Sequence, residues 1–346
     1  MRRSRISVAV LGAAIALALA ACGAEVRESG GGEGGNGGGQ DGPIQLAVVP
    51  KAVGFDFWAT VQDGAQCAAQ DAEGEVEVQW DGVTQETDVT GQVNLLTNFV
   101  SQGVDGLVYA ATDAQVLADV TQNALDQGLV VANIDSGTNP QPEEVPVFAT
   151  DNVAAAEDAT EYLVEQLGEE GGQVAFIPFQ PGTLTNDTRT EGFMNVLEEN
   201  PQVELVATQS SESDYNTALQ VTENILTANP GLDAIYAANE PGVLGAAEAV
   251  RGAGLEDQVT IVGWDTAPDE LQAVRDGVVA ALVAQNPFRM GYDGVNGAVE
   301  MARTGEPVEG GDTGATLVTS ENIDDEEVQS VLDPSCDNPP TETPEG

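Results

Sequence analysis

The chain has 346 residues and is strongly acidic, with 58 Asp and Glu against 10 Lys and Arg and a formal net charge of −48. This charge argues against nucleic acid or an anionic membrane surface as a partner, because both would repel the protein. The sequence contains no His, the commonest metal ligand and general base, and we expect neither a metal nor a cofactor. The length is sufficient for two lobes, each with its own core.

The N-terminus has the pattern of an export signal. Three arginines within the first five residues precede an apolar run at residues 8–21, which predicts a signal peptide over residues 1–21. Cys22 follows as in a bacterial lipobox, so we expect it to be acylated and to anchor the mature chain to the outer face of the cytoplasmic membrane. The alternative is an ordinary signal cleaved near Ala21. Residues 22–43 are Gly-rich and predict a flexible tether.

Two further cysteines could form a disulfide. Cys67 falls on the first predicted helix and Cys336 in an acidic, Pro-rich tail at residues 333–346. An oxidising compartment permits pairing, which would attach the tail to the first lobe. The spacing alone does not show that they are close, and unpaired thiols remain the alternative.

From Ile44 onward, short apolar runs rich in Val and Ile alternate with longer amphipathic segments. Several runs are apolar at every position, which is typical of parallel strands buried on both faces. The alternation predicts a doubly wound α/β fold. The predicted strands are 44–49, 76–80, 106–110, 129–134, 174–178, 203–208, 234–238, 259–264 and 279–284. The predicted helices are 57–71, 89–102, 114–127, 153–167, 188–198, 216–228, 243–253 and 268–276.

The chain also resembles itself. Residues 105–111 match 233–238 loosely, and 131–136 match 261–266 in the same order. Such a repeat predicts two lobes of similar topology.

In open α/β sheets, ligands bind beyond the carboxyl ends of the strands. Asp135 and Asp265 each follow an apolar run, one in each predicted lobe, so facing lobes would bring both carboxylates into one cleft. Other polar and aromatic residues follow predicted strands or begin helices in the same layer. The candidate ligand-binding residues are Lys51, Phe57, Trp58, Asp135, Ser136, Arg189, Asn239, Trp264, Asp265 and Gln285.

This set of residue types suits a carbohydrate. Carboxylates and amides bond to paired hydroxyls, aromatic rings cover the apolar sugar face, and an arginine donates to several oxygens at once. Each residue also has a simpler interpretation. Asp135, Asp265 and Asn239 could be helix N-caps, and Arg189 could form a surface ion pair with a neighbouring glutamate. One of the adjacent aromatics Phe57 and Trp58 could belong to the core.

Short motifs between Ile44 and about Ile323 resemble the ribose-binding-protein-like solute-binding proteins of bacterial ABC importers, which have the type I periplasmic binding protein fold. The motifs are Asp63-Gly64-Ala65, Gln102-Gly103-Val104-Asp105-Gly106, Ala149-Thr150-Asp151-Asn152, Arg189-x-x-Gly192-Phe193, Ala238-Asn239-Glu240, Val262-Gly263-Trp264-Asp265 and Ala284-Gln285. The resemblance implies two doubly wound parallel-sheet lobes joined by a three-strand hinge, with crossings near Thr150, Asn286 and Thr313. The implied first lobe is 44–150 plus 286–313, the second is 151–285 plus 314–332, and 333–346 is the tail.

The resemblance also implies roles for the candidate residues. Phe57 and Trp58 would stack on the sugar and Trp264 would pack from the other side. Asp135 would take paired hydroxyls, and Lys51 would line the cleft. The second-lobe ligand residues would be Arg189, Asn239, Asp265 and Gln285.

Four positions depart from the pattern of ribose binders. Ser136 stands for an Arg, Ala110 and Phe55 for Asn, and Ser213 for a Phe. These changes remove hydrogen-bond donors and open space. A different pentose, a hexose or a cyclitol is therefore as good a candidate as ribose.

We therefore expect an exported, lipid-anchored and monomeric binding protein that delivers a monosaccharide or cyclitol to an ABC permease and is not an enzyme. One alternative is a receptor for a signalling sugar or nucleoside that reports to a sensor. Another is an extracellular glycoside hydrolase with Asp135 and Asp265 as its carboxylate pair. A transcription repressor of the same fold is disfavoured, because a secretion signal occupies the place of a basic DNA-binding headpiece.

Overall fold

The computed structural model describes residues 42–337 and 339–340. The predicted signal peptide, Cys22, all but the last two residues of the predicted tether and the end of the tail lie outside these residues. Within the described part of the chain, no helix is both long and apolar enough to cross a membrane. The same residues contain no group of Cys, Asp and Glu side chains arranged to hold a metal ion.

Strands and helices alternate along the described residues. The strands are β1 Ile44–Val49, β2 Val76–Trp80, β3 Gly106–Tyr109, β4 Val130–Ile134, β5 Val147–Ala149, β6 Gly172–Ile177, β7 Val203–Thr208, β8 Ala234–Ala237, β9 Thr260–Trp264, β10 Ala281–Gln285, β11 Gly311–Asp312 and β12 Ala315–Thr319. The helices are α1 Asp56–Asp71, α2 Val89–Gln102, α3 Ala114–Asp126, α4 Asn152–Leu167, α5 Leu184–Glu199, α6 Tyr215–Ala228, α7 Glu240–Ala253, α8 Pro268–Arg275, α9 Pro287–Thr304 and α10 Glu326–Leu332.

The strands form two sheets of matching topology. The first has the order β2-β1-β3-β4-β5-β11, with parallel neighbours throughout. The second has the order β7-β6-β8-β9-β10-β12, in which only β12 runs antiparallel to its neighbour. Each sheet thus places its first strand between its second and third. The predicted doubly wound fold with two similar lobes is confirmed.

Helices cover both faces of each sheet, which explains the continuous apolar runs. In β1, Leu46 and Val48 contribute to the core under α1 and α9, while Ala47 and Val49 contribute to the core under α2 and α3. A strand in this position must be apolar on both faces.

Close packing of α1 against α9 depends on glycine. A Cβ added to Gly64 of α1 would lie 1.9 Å from the carbonyl oxygen of Phe288, and one added to Gly291 of α9 would lie 2.0 Å from that of Val61. The two helix backbones can therefore approach only without these side chains. This contact gives a packing reason for the Asp63-Gly64-Ala65 motif.

The chain passes between the sheets at successive points. After β5 the chain passes to the second lobe, where α4 packs. After β10 it returns to the first lobe, where α9 packs against α1. A further passage joins β11 to β12. The passages lie side by side: Thr150 Oγ1 donates to Gln285 Oε1 at 3.1 Å, and Thr313 N donates to Ala149 O at 2.9 Å.

Three strands, β5, β11 and β12, and two helices, α9 and α10, are absent from the elements predicted from the sequence. β11 has two residues and β5 has three, which is too few for the alternation of a strand to show in the sequence. β5 pairs with β4 on one side and with β11 on the other. The helix α5 begins at Leu184, four residues before the predicted start, because the Thr183 side chain accepts a hydrogen bond from Asn186 N at 3.2 Å.

A disulfide joins Cys67 of α1 to Cys336, with the Cα atoms 5.5 Å apart. The helix that precedes Cys336 is α10, and its Val328 is buried in the core of the second lobe beneath β10. The bond therefore connects the first lobe to a segment that is packed on the second.

Replacing both cysteines, Cys67→Ser with Cys336→Ser, should lower the free energy of unfolding by about 2–4 kcal/mol, because the unfolded chain regains the entropy of a long closed loop. Chemical denaturation of the variant and of the oxidised wild type measures the difference. Reduced wild type is the matched control and should unfold like the variant. Equal stability of all three samples would contradict the prediction.

Candidate functional site

A small cavity of about 30 Å³ lies between the two lobes, beyond the carboxyl ends of the strands. In this arrangement of the lobes it has room for about two water molecules. Eight of the ten predicted residues line it; Ser136 and Trp264 are not among the lining side chains. The lining residues are Lys51, Phe55, Phe57, Trp58, Glu86, Asp135, Phe179, Arg189, Asn239, Glu240, Pro241, Asp265 and Gln285.

The two predicted carboxylates occupy matching positions. Asp135 follows β4 and Asp265 follows β9, with backbone φ angles of +57° and +77°. This left-handed conformation is uncommon outside glycine and costs about 1–3 kcal/mol, a strain that clusters at binding sites. Neither residue caps a helix: Ala267 is the N-cap of α8, and no helix follows Asp135 before α4. The interpretation of both as helix caps is therefore wrong.

Asp135 is paired with a buried cation of its own lobe. Lys51 Nζ lies 2.7 Å from Asp135 Oδ2, and both side chains are almost fully buried. Lys51 also donates to Thr185 Oγ1 of the second lobe at 2.8 Å. Asp135 Oδ2 accepts no well-aligned hydrogen bond from the described residues. The ion pair therefore supplies charge balance while leaving the carboxylate able to accept from a ligand.

Asp265 is held by two donors of the second lobe. Gln285 Nε2 donates to Oδ1 at 2.6 Å and Glu240 N donates to Oδ2 at 2.8 Å. Burial raises the pKa of Asp265, and the positive charge of Arg189 opposes this shift. Asp265 thus resembles Asp135 in being a buried carboxylate influenced by a cation of its own lobe, but it is held by hydrogen bonds where Asp135 is held by an ion pair.

Arg189 is buried in the second lobe and does not form the alternative surface ion pair. Its Nε donates to Asn152 Oδ1 at 2.8 Å and its Nη1 to Ala238 O at 2.7 Å. The guanidinium lies 3.7 Å from the centre of the Trp264 ring, a favourable cation–π distance. Burial lowers the pKa of Arg189, but a guanidinium stays protonated in proteins.

Two residues that were predicted to contact the ligand, Trp264 and Ser136, are buried and do not line the cavity. Trp264 is fully buried, donates its indole N–H to the Tyr236 hydroxyl at 2.7 Å and lies beneath Arg189. Alternate residues of a strand face opposite sides, so Trp264 points into the lobe next to an Asp265 that faces the cavity. Ser136 is also buried, and its carbonyl oxygen accepts from Ala111 N at 2.9 Å.

Aromatic rings from both lobes line the cavity. Phe57 is half-buried and meets the buried Trp58 edge to face, with ring centres 4.8 Å apart. Trp58 is therefore both a core residue and a lining residue. Phe179 enters from the second lobe, 5.4 Å from the Arg189 guanidinium, and was missed by sequence analysis. Because Phe179 lies two residues beyond β6, the rule that sites follow strand ends could have identified it.

Asn239 both caps a helix and lines the cavity. Its Oδ1 accepts from Gly242 N at 3.1 Å, so it caps α7 as expected. Its Nδ2 donates to Ser213 Oγ at 3.2 Å, and the residue lines the cavity. A cap held in this way is fixed in orientation, which reduces the entropy cost of binding a ligand.

Glu240 connects the lobes and was not predicted as a site residue. Its carboxylate accepts from Asp56 N at 3.3 Å and from Phe57 N at 3.2 Å, at the N-terminus of α1 in the opposite lobe. Phe55, the N-cap of α1, offers no side-chain cap, so Glu240 supplies one across the cleft. Burial, together with repulsion from Asp265, raises the pKa of Glu240 to about 7.

Comparison with known proteins agrees with this geometry. Residues 46–307 match the model of the periplasmic binding protein domain. The D-ribose/D-allose-binding protein of Pseudomonas aeruginosa is 31% identical over 74% of this chain and 82% of its own length.

Solved structures resemble the chain over most of its length. A carbohydrate transporter solute-binding protein from Agrobacterium radiobacter, in complex with D-arabinose, matches with a TM-score of 0.81 and 28% identity, covering 85% of this chain and 100% of that protein. An ABC transporter solute-binding protein from Agrobacterium vitis with bound D-fucose matches with a TM-score of 0.79 and 31% identity, covering 84% and 100%. The chain therefore belongs to the periplasmic binding protein family and is similar within it to the ribose- and allose-binding proteins.

Proposed function

We propose that this chain is an extracytoplasmic solute-binding protein that captures a monosaccharide or cyclitol between its lobes and delivers it to the permease of an ABC importer. The observation that carries the proposal is the cavity, where each lobe presents a buried carboxylate beside a cation. Paired acceptors and donors of this kind suit vicinal hydroxyls, and Phe57, Trp58 and Phe179 supply apolar surface for a sugar ring. Relatives named for sugars support the same class of ligand.

The proposed cycle is a hinge motion. Residues 44–150 with 286–313 move against residues 151–285 with 314–332, and the passages near Thr150, Asn286 and Thr313 act as the hinge. A ligand that touches both carboxylates stabilises the closed form, because those contacts do not all exist when the lobes are apart.

The protein binds and does not catalyse. A retaining or inverting glycosidase needs one carboxyl as a general acid and a second as nucleophile or base. Here Asp135 is paired with Lys51, and Asp265 accepts from Gln285 Nε2 and Glu240 N, so we assign both carboxylates the role of acceptors for ligand hydroxyls. The lipid on Cys22 would keep a monomeric protein near its permease, with the tether giving it reach.

A ligand should raise the melting temperature, and Asp265→Asn should remove about half of that rise or more. A ligand at 100 times its dissociation constant adds about 2.7 kcal/mol to stability. The variant loses a charged acceptor, which weakens binding about tenfold to a hundredfold. A thermal-shift screen of residues 44–346 against pentoses, hexoses, inositols, nucleosides and amino acids, each at about 1 mM, measures both effects.

Asp119→Asn, an exposed carboxylate on α3, is the matched control and should respond like the wild type. A screen in which no sugar or cyclitol shifts the melting temperature, while a nucleoside or amino acid does, would overturn the proposed ligand class and keep the fold.

Closure should also depend on pH through Glu240. In the open form water reaches this side chain, so its pKa falls towards the ordinary value of 4.5, whereas in the closed form burial holds the pKa at about 7. The closed form therefore takes up a proton, and closure becomes more favourable as pH falls through 7. Ligand affinity should be about threefold to tenfold higher at pH 6 than at pH 8. Calorimetry at a series of pH values measures it.

The control is Glu240→Gln, which keeps the hydrogen-bond acceptor but removes the titration and should flatten the profile. Glu270 also has a pKa raised by burial, but it caps α8 inside the second lobe and so is common to the open and closed forms. An unchanged pH profile in Glu240→Gln would refute the assignment.

A further inference from the structure

Glu86 is a cavity residue that the proposed site has not used. It lies in the loop between β2 and α2, is 4% exposed and lines the cavity. Its Oε2 accepts from Ser213 Oγ of the second lobe at 2.6 Å. Ser213 Oγ in turn accepts from Asn239 Nδ2 at 3.2 Å. A chain of hydrogen bonds therefore holds one oxygen of Glu86 and fixes the orientation of the carboxylate.

The backbone that presents Ser213 is strained. Glu212 and Ser213 both have a φ of +53°, and consecutive left-handed residues other than glycine are uncommon. The turn is fixed by Ser211 N donating to Pro178 O at 2.8 Å and by Asp214 N donating to Ser211 O at 3.0 Å. Such strain persists where the surrounding structure requires a particular side-chain position, here a hydroxyl aimed at Glu86.

The charges in the cavity are unbalanced. The carboxylates that line it are Glu86, Asp135, Glu240 and Asp265, and the cations are Lys51 and Arg189. Three carboxylates have strong partners: Lys51 for Asp135, Arg189 with two donors for Asp265, and the N-terminus of α1 for Glu240. Within the described residues, Glu86 has the Ser213 hydroxyl as its hydrogen-bond partner and no cation in an ion pair.

We propose that Glu86 is a ligand contact that determines specificity: its Oε1 accepts from a hydroxyl or amino group of the bound sugar, and its charge rejects sugar acids and sugar phosphates. The inference rests on the proposed function and narrows its ligand class to neutral or amino-bearing monosaccharides and cyclitols. A buried carboxylate with one hydrogen bond gains a missing partner from such a donor. An anionic substituent in the same place would meet a like charge in a cavity that holds four carboxylates and two cations.

The test compares wild type, Glu86→Gln and the matched control Glu144→Gln, which changes an exposed glutamate in the loop before β5. Calorimetry measures affinity for D-ribose, D-allose, D-glucose, D-galactose and myo-inositol. D-glucosamine and D-galactosamine serve as amino analogues, and D-glucuronate and D-galacturonate as acids. Melting temperatures without ligand show that each variant is folded.

Glu86→Gln should lower the affinity for the tightest neutral ligand about tenfold or more, and the affinity for its amino analogue should fall further. The difference in affinity between the neutral ligand and the sugar acids should become smaller. Ser213→Ala removes the bond between the lobes but keeps Oε1, so it should cost less affinity and preserve the order of preference.

Unchanged affinities and order in Glu86→Gln would overturn the proposal, and so would a Ser213→Ala variant that reproduces the full change in specificity. A wild-type protein that binds none of these sugars, amino sugars or cyclitols would overturn the proposed function itself. That outcome is distinct from tight sugar binding that is insensitive to Glu86.

Discussion

Two buried carboxylates, one in each lobe, face the same cavity, and each is compensated by a buried cation of its own lobe. A carboxylate removed from water costs several kcal/mol unless a partner compensates for it. Lys51 compensates Asp135 at 2.7 Å, and Arg189, stacked on Trp264, lowers the cost of burying Asp265. The matching sheets place each aspartate beyond the equivalent strand, so the duplicated fold itself sets the two acceptors opposite each other. Strong acceptors can therefore be oriented before a ligand arrives.

Contacts between the lobes are mainly hydrogen bonds between polar groups. Lys51 with Thr185, Ser213 with Glu86, and Ala114 N with Gly182 O at 2.9 Å each join one lobe to the other. Water can replace such bonds when the lobes separate, at a net cost of about 0.5–1.5 kcal/mol each for neutral pairs. The apolar cores stay within the lobes, on the two faces of each sheet. The proposed separation of the lobes would therefore leave both cores covered.

Sequence patterns predicted the two-lobed α/β fold and eight of the residues that line the cavity. Long apolar runs identified the central strands, and the rule that sites follow strand ends identified Asp135, Asp265 and Gln285. The same rule cannot tell which neighbour faces the ligand: Trp264 was assigned to the sugar, yet strand alternation points it inward beneath Arg189. In a strand that is covered on both faces, neighbouring residues can both be buried. The sequence therefore does not show which of the two faces the ligand.

Other features arise only when distant parts of the chain meet. Glu86 lies in a loop that has no periodic pattern, and its partner Ser213 is 127 residues away. The cap that Glu240 provides for α1 likewise spans 184 residues, to Asp56. Interactions of this kind depend on the closed arrangement of the lobes, and no local pattern in the sequence encodes them.

The most direct test of this account is a crystal structure of the protein with the sugar that stabilises it most in the thermal-shift screen. The account predicts a sugar bound between the lobes. Its side that faces the first lobe should hydrogen-bond to Asp135, and its side that faces the second lobe to Asp265 and Arg189. A sugar bound to one lobe alone, or on another surface while the cavity holds only water, would contradict it.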